Sequence, residues 1–245
     1  LADNGVGWWN HLQSFDADGD GDLDILCGNL GLNYKFHASP DHPFEVYCDD
    51  FDQNGVFDVV LAKQYKDRFV PVRGRTCSSE QMPFIKEKFP SFESFAEADL
   101  SSIYGEENLG KALHLQATEF ANGILLNENG KYRFQALGTE AQFAPINGSV
   151  VHDFTGDGKL DILVAGNHFG AEVETTRADA GLGLLLAGNG DGTFRTLDVA
   201  ESGVLLPGDV KEMVAIAGSD KGQMTILAAN NNAPLVSLQW QSKVQ

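Results

Sequence analysis

The sequence predicts an all-β protein: a partial β-propeller of about three to four four-stranded blades with a small helical insertion. Three observations carry that expectation. Short apolar runs alternate with glycine-rich turns, with 27 Gly against only 8 Pro. An acidic nine-residue loop occurs three times, each time just ahead of such a run. A fourth, degenerate copy follows near the end of the chain.

The first loop runs Asp16-Ala17-Asp18-Gly19-Asp20-Gly21-Asp22-Leu23-Asp24 and leads into Ile25-Leu26-Cys27. The second runs Asp50-Phe51-Asp52-Gln53-Asn54-Gly55-Val56-Phe57-Asp58 and leads into Val59-Val60-Leu61. The third runs Asp153-Phe154-Thr155-Gly156-Asp157-Gly158-Lys159-Leu160-Asp161 and leads into Ile162-Leu163-Val164. Each places side-chain oxygens at positions 1, 3, 5 and 9 and glycine at position 6, where a tightly curved backbone needs it. Alternate oxygens on a curved arc suit a hard cation. Calcium, with six to eight oxygens at roughly 2.3–2.6 Å, fits better than magnesium, which demands octahedral geometry.

The expected ligands are therefore Asp16, Asp18, Asp20 and Asp24 with the Asp22 carbonyl, then Asp50, Asp52, Asn54 and Asp58 with the Val56 carbonyl, then Asp153, Thr155, Asp157 and Asp161 with the Lys159 carbonyl. Up to three Ca²⁺ sites follow, the Thr155 loop being the weakest because it carries less charge. An EF-hand is excluded, since position 12 is Cys27, Leu61 or Val164 inside an apparent strand. Asp/Gly-rich hairpin turns without a metal are the alternative, and the threefold repetition weighs against them.

Strands follow the loops in order. Residues 112–118 alternate through Leu113, Leu115 and Ala117. Glu128-Asn129-Gly130 reads as a hairpin turn between 124–127 and 132–136, and 188–192 as another between 184–187 and 193–197. Residues 66–111 form the helical insertion, with a helix over 78–88 begun by a Ser78/Gln81 capping box and a second stretch over 91–98 presenting Phe92 and Phe95. The degenerate repeat aligns Ala217, Ser219, Lys221 and Thr225 with positions 1, 3, 5 and 9, so its metal ligands are gone. About fourteen strands are expected in all, within one segment over 1–245.

The D-x-D-x-D-G-x-x-D loop followed by a strand and a Gly-Asn turn resembles the FG-GAP or VCBS repeat of integrin-α-like β-propellers. The resemblance covers residues 8–33, 44–63, 143–170 and 211–232. Residues 141–145, Asn147-Gly148 and the stretch from Gly166 to Arg177 are similar to bacterial multi-repeat FG-GAP proteins, including those with an ASPIC/UnbV-type domain, although no ASPIC/UnbV segment is present in the sequence. The resemblance implies seven blades, calcium in the first hairpin of certain blades, and a secreted, periplasmic or cell-surface location. The chain is too short for seven such blades. It is expected to be part of a longer propeller, or to complete one by self-association, and its first residue, Leu1, reads as that of an excised or processed piece.

Composition narrows the partners. Seventeen Lys and Arg against thirty-five Asp and Glu give a formal charge of -18, which disfavours nucleic acid. No apolar run approaches the ~20 residues of a membrane span. Three cysteines, Cys27, Cys48 and Cys77, suit neither a disulfide framework nor a zinc site. His168, Glu172, Glu174 and Arg177 form a candidate recognition rim; the alternative is an Arg177–Glu ion pair that merely holds the loop. Arg73 and Arg75 suggest ion pairs to the protein's own acids, with a clamp for a ligand carboxylate as the alternative; Trp8 and Trp9 suggest packing or stacking on a sugar, and His152 a packed or hydrogen-bonded ring. The expected function is non-enzymatic recognition of a protein or glycan by a calcium-stabilised module. A polysaccharide-active lyase or hydrolase segment, or a structural spacer, are the alternatives.

Overall fold

A computed structural model describes residues 5–172, 174–219 and 222–242. Lys221 lies outside the described residues. The chain is mostly β: among the described residues fifteen strands form four antiparallel sheets, three of four strands and one of three. The chain divides into two compact units. One comprises chiefly Trp8–Lys35 and Phe120–Gln245, the other Gly5–Gly7 and Phe36–Glu119.

The larger unit holds three sheets. The first has the order β1 (His11–Phe15), β2 (Asp24–Gly28), β7 (Gly123–Glu128), β8 (Lys131–Ala136). Residues Phe36–Glu119 of the smaller unit lie in the chain between this sheet's second and third strands, although Cys27 pairs directly with Gly123. The turn between β7 and β8 holds Asn129 at φ 55° and Gly130 at φ 86°, the left-handed pair that a two-residue hairpin needs.

The second sheet runs β9 (Gly148–His152), β10 (Asp161–Ala165), β11 (Leu184–Gly188), β12 (Phe194–Leu197). The third runs β13 (Val210–Ala217), β14 (Gln223–Asn230), β15 (Val236–Gln241). Strand β10 is buried throughout and shows why the three sheets stack. Ile162 and Val164 face a core shared with Phe15, Leu26 and Ile124 of the first sheet. Leu163 and Ala165, one residue out of phase, face a core shared with Met213, Ile226 and Ala228 of the third. A period of two thus fills both faces of a middle layer.

The first strands of the sheets also lie in line, β1 beside β9 and β9 beside β13. Glycine permits this approach. A Cβ on Gly148 would stand 2.8 Å from the Met213 amide nitrogen, and one on Gly28, at the end of β2, only 2.2 Å from the carbonyl oxygen of Ile146 ahead of β9; within the second sheet, one on Gly166 would stand 2.1 Å from the Pro145 carbonyl oxygen. His11 joins β1 to β9 through a 2.7 Å hydrogen bond between Nε2 and the Ser149 hydroxyl. A short helix, α6 (Val199–Ser202), follows β12 and starts with a capping box of Asp198 and Glu201.

In the smaller unit the order is β6 (Leu113–Ala117), β3 (Phe44–Asp49), β4 (Asp58–Tyr65), β5 (Arg68–Pro71). The unit's last strand along the chain, β6, returns to the opposite edge, beside β3, instead of extending the meander. Five short helices cover one face: α1 (Arg75–Gln81), α2 (Phe84–Lys88), α3 (Phe92–Glu97), α4 (Leu100–Tyr104) and α5 (Glu106–Lys111). Val60 and Ala62 of β4 pack against Met82, Ile85, Phe95 and Ile103 there. The sequence favours one helix over 78–88; the chain makes two, because Pro83 disfavours helical backbone at Met82. Ser78 is inside α1, buried, with its hydroxyl donating to the Arg73 carbonyl. The capping box of this region is Ser91 with Ser94.

Two outcomes follow from the packing. Gly166→Ala should destabilise by about 1–3 kcal/mol, since the obstacle is backbone and cannot swing aside; chemical denaturation measures it. Burial lowers the His11 pKa from 6.5, an effect partly opposed by Glu212. The folded state therefore resists the proton that the unfolded chain accepts. Stability from His11 is full above pH ~6.5 and declines as pH falls toward the lower folded value. His11→Gln should flatten the pH dependence of the melting temperature just below pH 6.5.

Candidate metal centres

Each acidic loop joins the two strands of a hairpin: β1 to β2, β3 to β4, and β9 to β10. All three have one backbone shape. Position 6 is left-handed at Gly21, Gly55 and Gly158, with φ 94°, 86° and 86°. Position 4 is left-handed too, at Gly19, Gln53 and Gly156, with φ 81°, 59° and 78°. Gln53, a residue with a Cβ, gave no sign of this in the sequence.

The carboxylate at position 1 organises the curve. Asp16 accepts from the amides of Gly19 and Gly21 at 2.7 and 3.1 Å. Asp50 accepts from Asn54 and Gly55 at 2.9 and 2.8 Å. Asp153 accepts from Gly156, Asp157 and Gly158 at 2.7, 3.1 and 2.9 Å. At position 5, Asp20, Asn54 and Asp157 each accept from the amide two residues on, at 2.8, 2.8 and 3.0 Å.

Position 9 is the first residue of β2, β4 or β10, and its carboxylate is buried each time: Asp24 at 1%, Asp58 at 2% and Asp161 at 0% exposure. One oxygen reaches back into the loop, to Ala17, Phe51 or Thr155. In two hairpins the other oxygen crosses to the third strand, accepting from Asn127 at 2.7 Å and from Gly188 at 2.9 Å. Asp58 instead takes a side-chain hydrogen bond from Gln81 of α1.

Positions 1, 3 and 9 converge in two of the loops. Carboxylate oxygens of Asp16, Asp18 and Asp24 all lie within 4.8 Å of one another, as do those of Asp50, Asp52 and Asp58. These two triads are able to hold a metal ion, one in each unit. Asp20 and Asp22 are exposed and stand outside the first triad. Asn54 is exposed beside the second. In the third loop Thr155 breaks the set, and Asp153, Asp157 and Asp161 form no such triad among the described residues. Val56 and Lys159, whose carbonyls occupy position 7, are exposed.

Electrostatics fit this crowding. Two full charges 4.8 Å apart repel by roughly 3 kcal/mol at an effective dielectric of ~20, before solvent screening. The Asp18 pKa is raised above the usual aspartate value, first by desolvation and also by Asp20, Asp24 and Asp16. That of Asp58 is raised by burial, with Asp52 and Asp50 adding to it. The donors are all hard oxygens, and a divalent cation would relieve the like-charge strain.

The candidate rim is knitted differently. His168 is exposed and its backbone bridges to Ala178. Arg177 pairs with Asp179 at 2.8 Å and lies 4.8 Å from the Phe169 ring centroid. Glu172 accepts from the Thr175 hydroxyl at 2.8 Å, and Lys35 donates to the Glu174 carbonyl at 2.9 Å. Val173 lies outside the described residues. Elsewhere, Arg75 donates to the carbonyls of Phe89 and Pro90, where ion pairs to acids were expected. Arg73 donates to Val59 and Gln81. Trp8 and Trp9 pack edge-on against Phe120 and Phe134, and His152 against Trp240. The three cysteines are free, and burial pushes the Cys27 thiol up to about 11.

Sequence reasoning missed a buried amide set. Asn122 donates to the carbonyls of Ala141 and Ala144, and Asn167 to those of Gly181 and Gly208. The Gly-Asn step after β10 marks Asn167, whereas Asn122, ahead of β7 in Ala121-Asn122-Gly123, carries no such trace. No protein-family model matches this chain, and no curated protein does. The repeat resemblance therefore rests on the loop and strand residues themselves.

Asp161→Ala should cost about 2–4 kcal/mol even without divalent cations, because it strands the amides of Thr155 and Gly188. Asp157→Ala, whose carboxylate is exposed and bonds only the loop, should cost under about 1 kcal/mol. Urea denaturation in chelator reads both.

Proposed function

We propose that the protein is a calcium-binding module of β-propeller type, in which calcium stiffens the blade hairpins and the module serves recognition of a protein or glycan outside the cytoplasm. One observation carries the metal reading. Two independent hairpins, in separate units, bring three carboxylates to a common point through the same nine-residue backbone path. The curve needs no acid at position 3, as the Thr155 loop shows, yet both of these hairpins place one there, and like charges brought together call for a cation. Calcium is favoured over magnesium because the donors sit on a flexible arc with backbone carbonyls nearby.

The propeller reading is supported by the succession of β1, β9 and β13 and by sheets that stack face to face through shared cores. The net charge of -18 disfavours nucleic acid, and no helix among the described residues is long and apolar enough to cross a membrane. Calcium-dependent modules also suit calcium-rich surroundings, where weak sites fill. Completion of the ring by further blades or by a second copy belongs to the same proposal.

Metal analysis and calorimetry on chelator-treated protein test it. Two calcium ions per chain should bind first, with a third, weaker site at the Thr155 loop. At a hundred times Kd, one site adds about 2.7 kcal/mol, or roughly 5–10 °C in melting temperature. Asp18→Asn and Asp52→Asn should each remove one tight site. An unchanged melt with no bound calcium at millimolar concentration overturns the reading.

A further inference from the structure

We infer that the larger unit carries a binding site for a small organic cation with an apolar body, such as an arylalkylammonium. The site is a cavity of about 240 Å³ between the segment that precedes β9 and the ends of β10, β11 and β12. Its floor is apolar and buried, with Ile146 at 2%, Val164 at 3% and Leu197 at 8% exposure. Its lip is apolar and open: Phe143, Leu182 and Val199 are each 45–47% exposed.

The void is built into the backbone. Gly181 stands so close to Gly166 that a Cβ there would meet its carbonyl oxygen at 2.4 Å, and Ala144 and Ala180 complete a wall too small to fill the space. An apolar cavity of roughly 150 Å³ accommodates a benzene ring, so this one takes a ring with a short chain. A concave apolar site with few polar groups is the usual form of a small-molecule site.

Charge selects the ligand. The lining includes two carboxylates, Glu140 and Asp198, and no Lys, Arg or His. Glu140 accepts from the Thr196 hydroxyl at 3.4 Å, and Asp198 from the Glu201 amide at 2.8 Å as the cap of α6. Arg195, the nearest cation along β12, is paired with Glu201 at 3.5 Å. An ammonium at the mouth would meet two anions while its apolar body covers the floor. An anionic ligand would meet the same two charges unfavourably. The inference does not depend on calcium.

Three probes sharing one ring test it by NMR titration of the whole chain: 2-phenylethylammonium, 2-phenylethanol and 3-phenylpropanoate. The ammonium should bind with Kd about 1 mM or below, perturbing residues of the cavity. The alcohol should be about threefold weaker, and the carboxylate should not saturate. Glu140→Gln should narrow the preference for ammonium over alcohol and leave the alcohol unchanged. Ala180→Leu, at an exposed position, should fill the space and weaken ammonium binding ~10-fold; Leu182→Trp is a second filling variant should the first fail to fold. Equal affinity for the three probes, binding that survives both filled variants, or no saturable binding at 10 mM (about ten times the expected Kd) each overturns the assignment.

Discussion

A carboxylate taken out of water must be compensated on both oxygens, and the hairpins are built around that demand. Asp24, Asp58 and Asp161 sit at the first residue of the second strand, where the chain turns inward from the loop. Each collects an amide of its own loop, and through its second contact it takes hold of the next element, β7, α1 or β11. Loop shape, strand entry and sheet width thus depend on one desolvated group. The curve that presents those amides also brings the position 1 and position 3 carboxylates toward the same point, so satisfying one buried acid gathers others around it.

The strands respond to a second constraint, the need to cover two faces. After Asp161, strand β10 is apolar at every position because it lies between two cores. Strand β4 alternates because helices cover only one of its sides; Val59, on the other, stays exposed. Glycine at Gly28 and Gly148 sets the distance of approach between neighbouring sheets, where a methyl group would strike backbone atoms.

What was legible in the sequence is what is local. The oxygens at alternating positions, the glycine at position 6 and the apolar run that follows are contiguous, and the all-β class follows from them. The route of the first sheet was not legible. Cys27 and Gly123 pair across almost a hundred residues, and nothing in either strand names its partner. The same holds for β6, whose alternation marks a strand but not its return beside β3. Gln53 adopts a left-handed turn because its neighbours impose it, a tertiary override of a residue that prefers otherwise. Ser78 matched the spacing of a cap, yet the helix begins three residues earlier and buries it. The Thr155 loop shares the arc but lacks the third converging acid, a difference visible in one letter at position 3.

The threading of one unit through another has a mechanical side. The departing and returning strands, β2 and β7, are hydrogen-bonded neighbours, and just beyond them the Gly31 amide bonds the Phe120 carbonyl at 2.8 Å while Asn29 bonds Asn122 at 2.6 Å. The two necks of the inserted unit are therefore clasped side by side. A protease that nicks a loop of that unit would leave both fragments joined by a sheet. During synthesis, by contrast, the first hairpin must wait about ninety residues for its third strand, with the β2 edge bare until then.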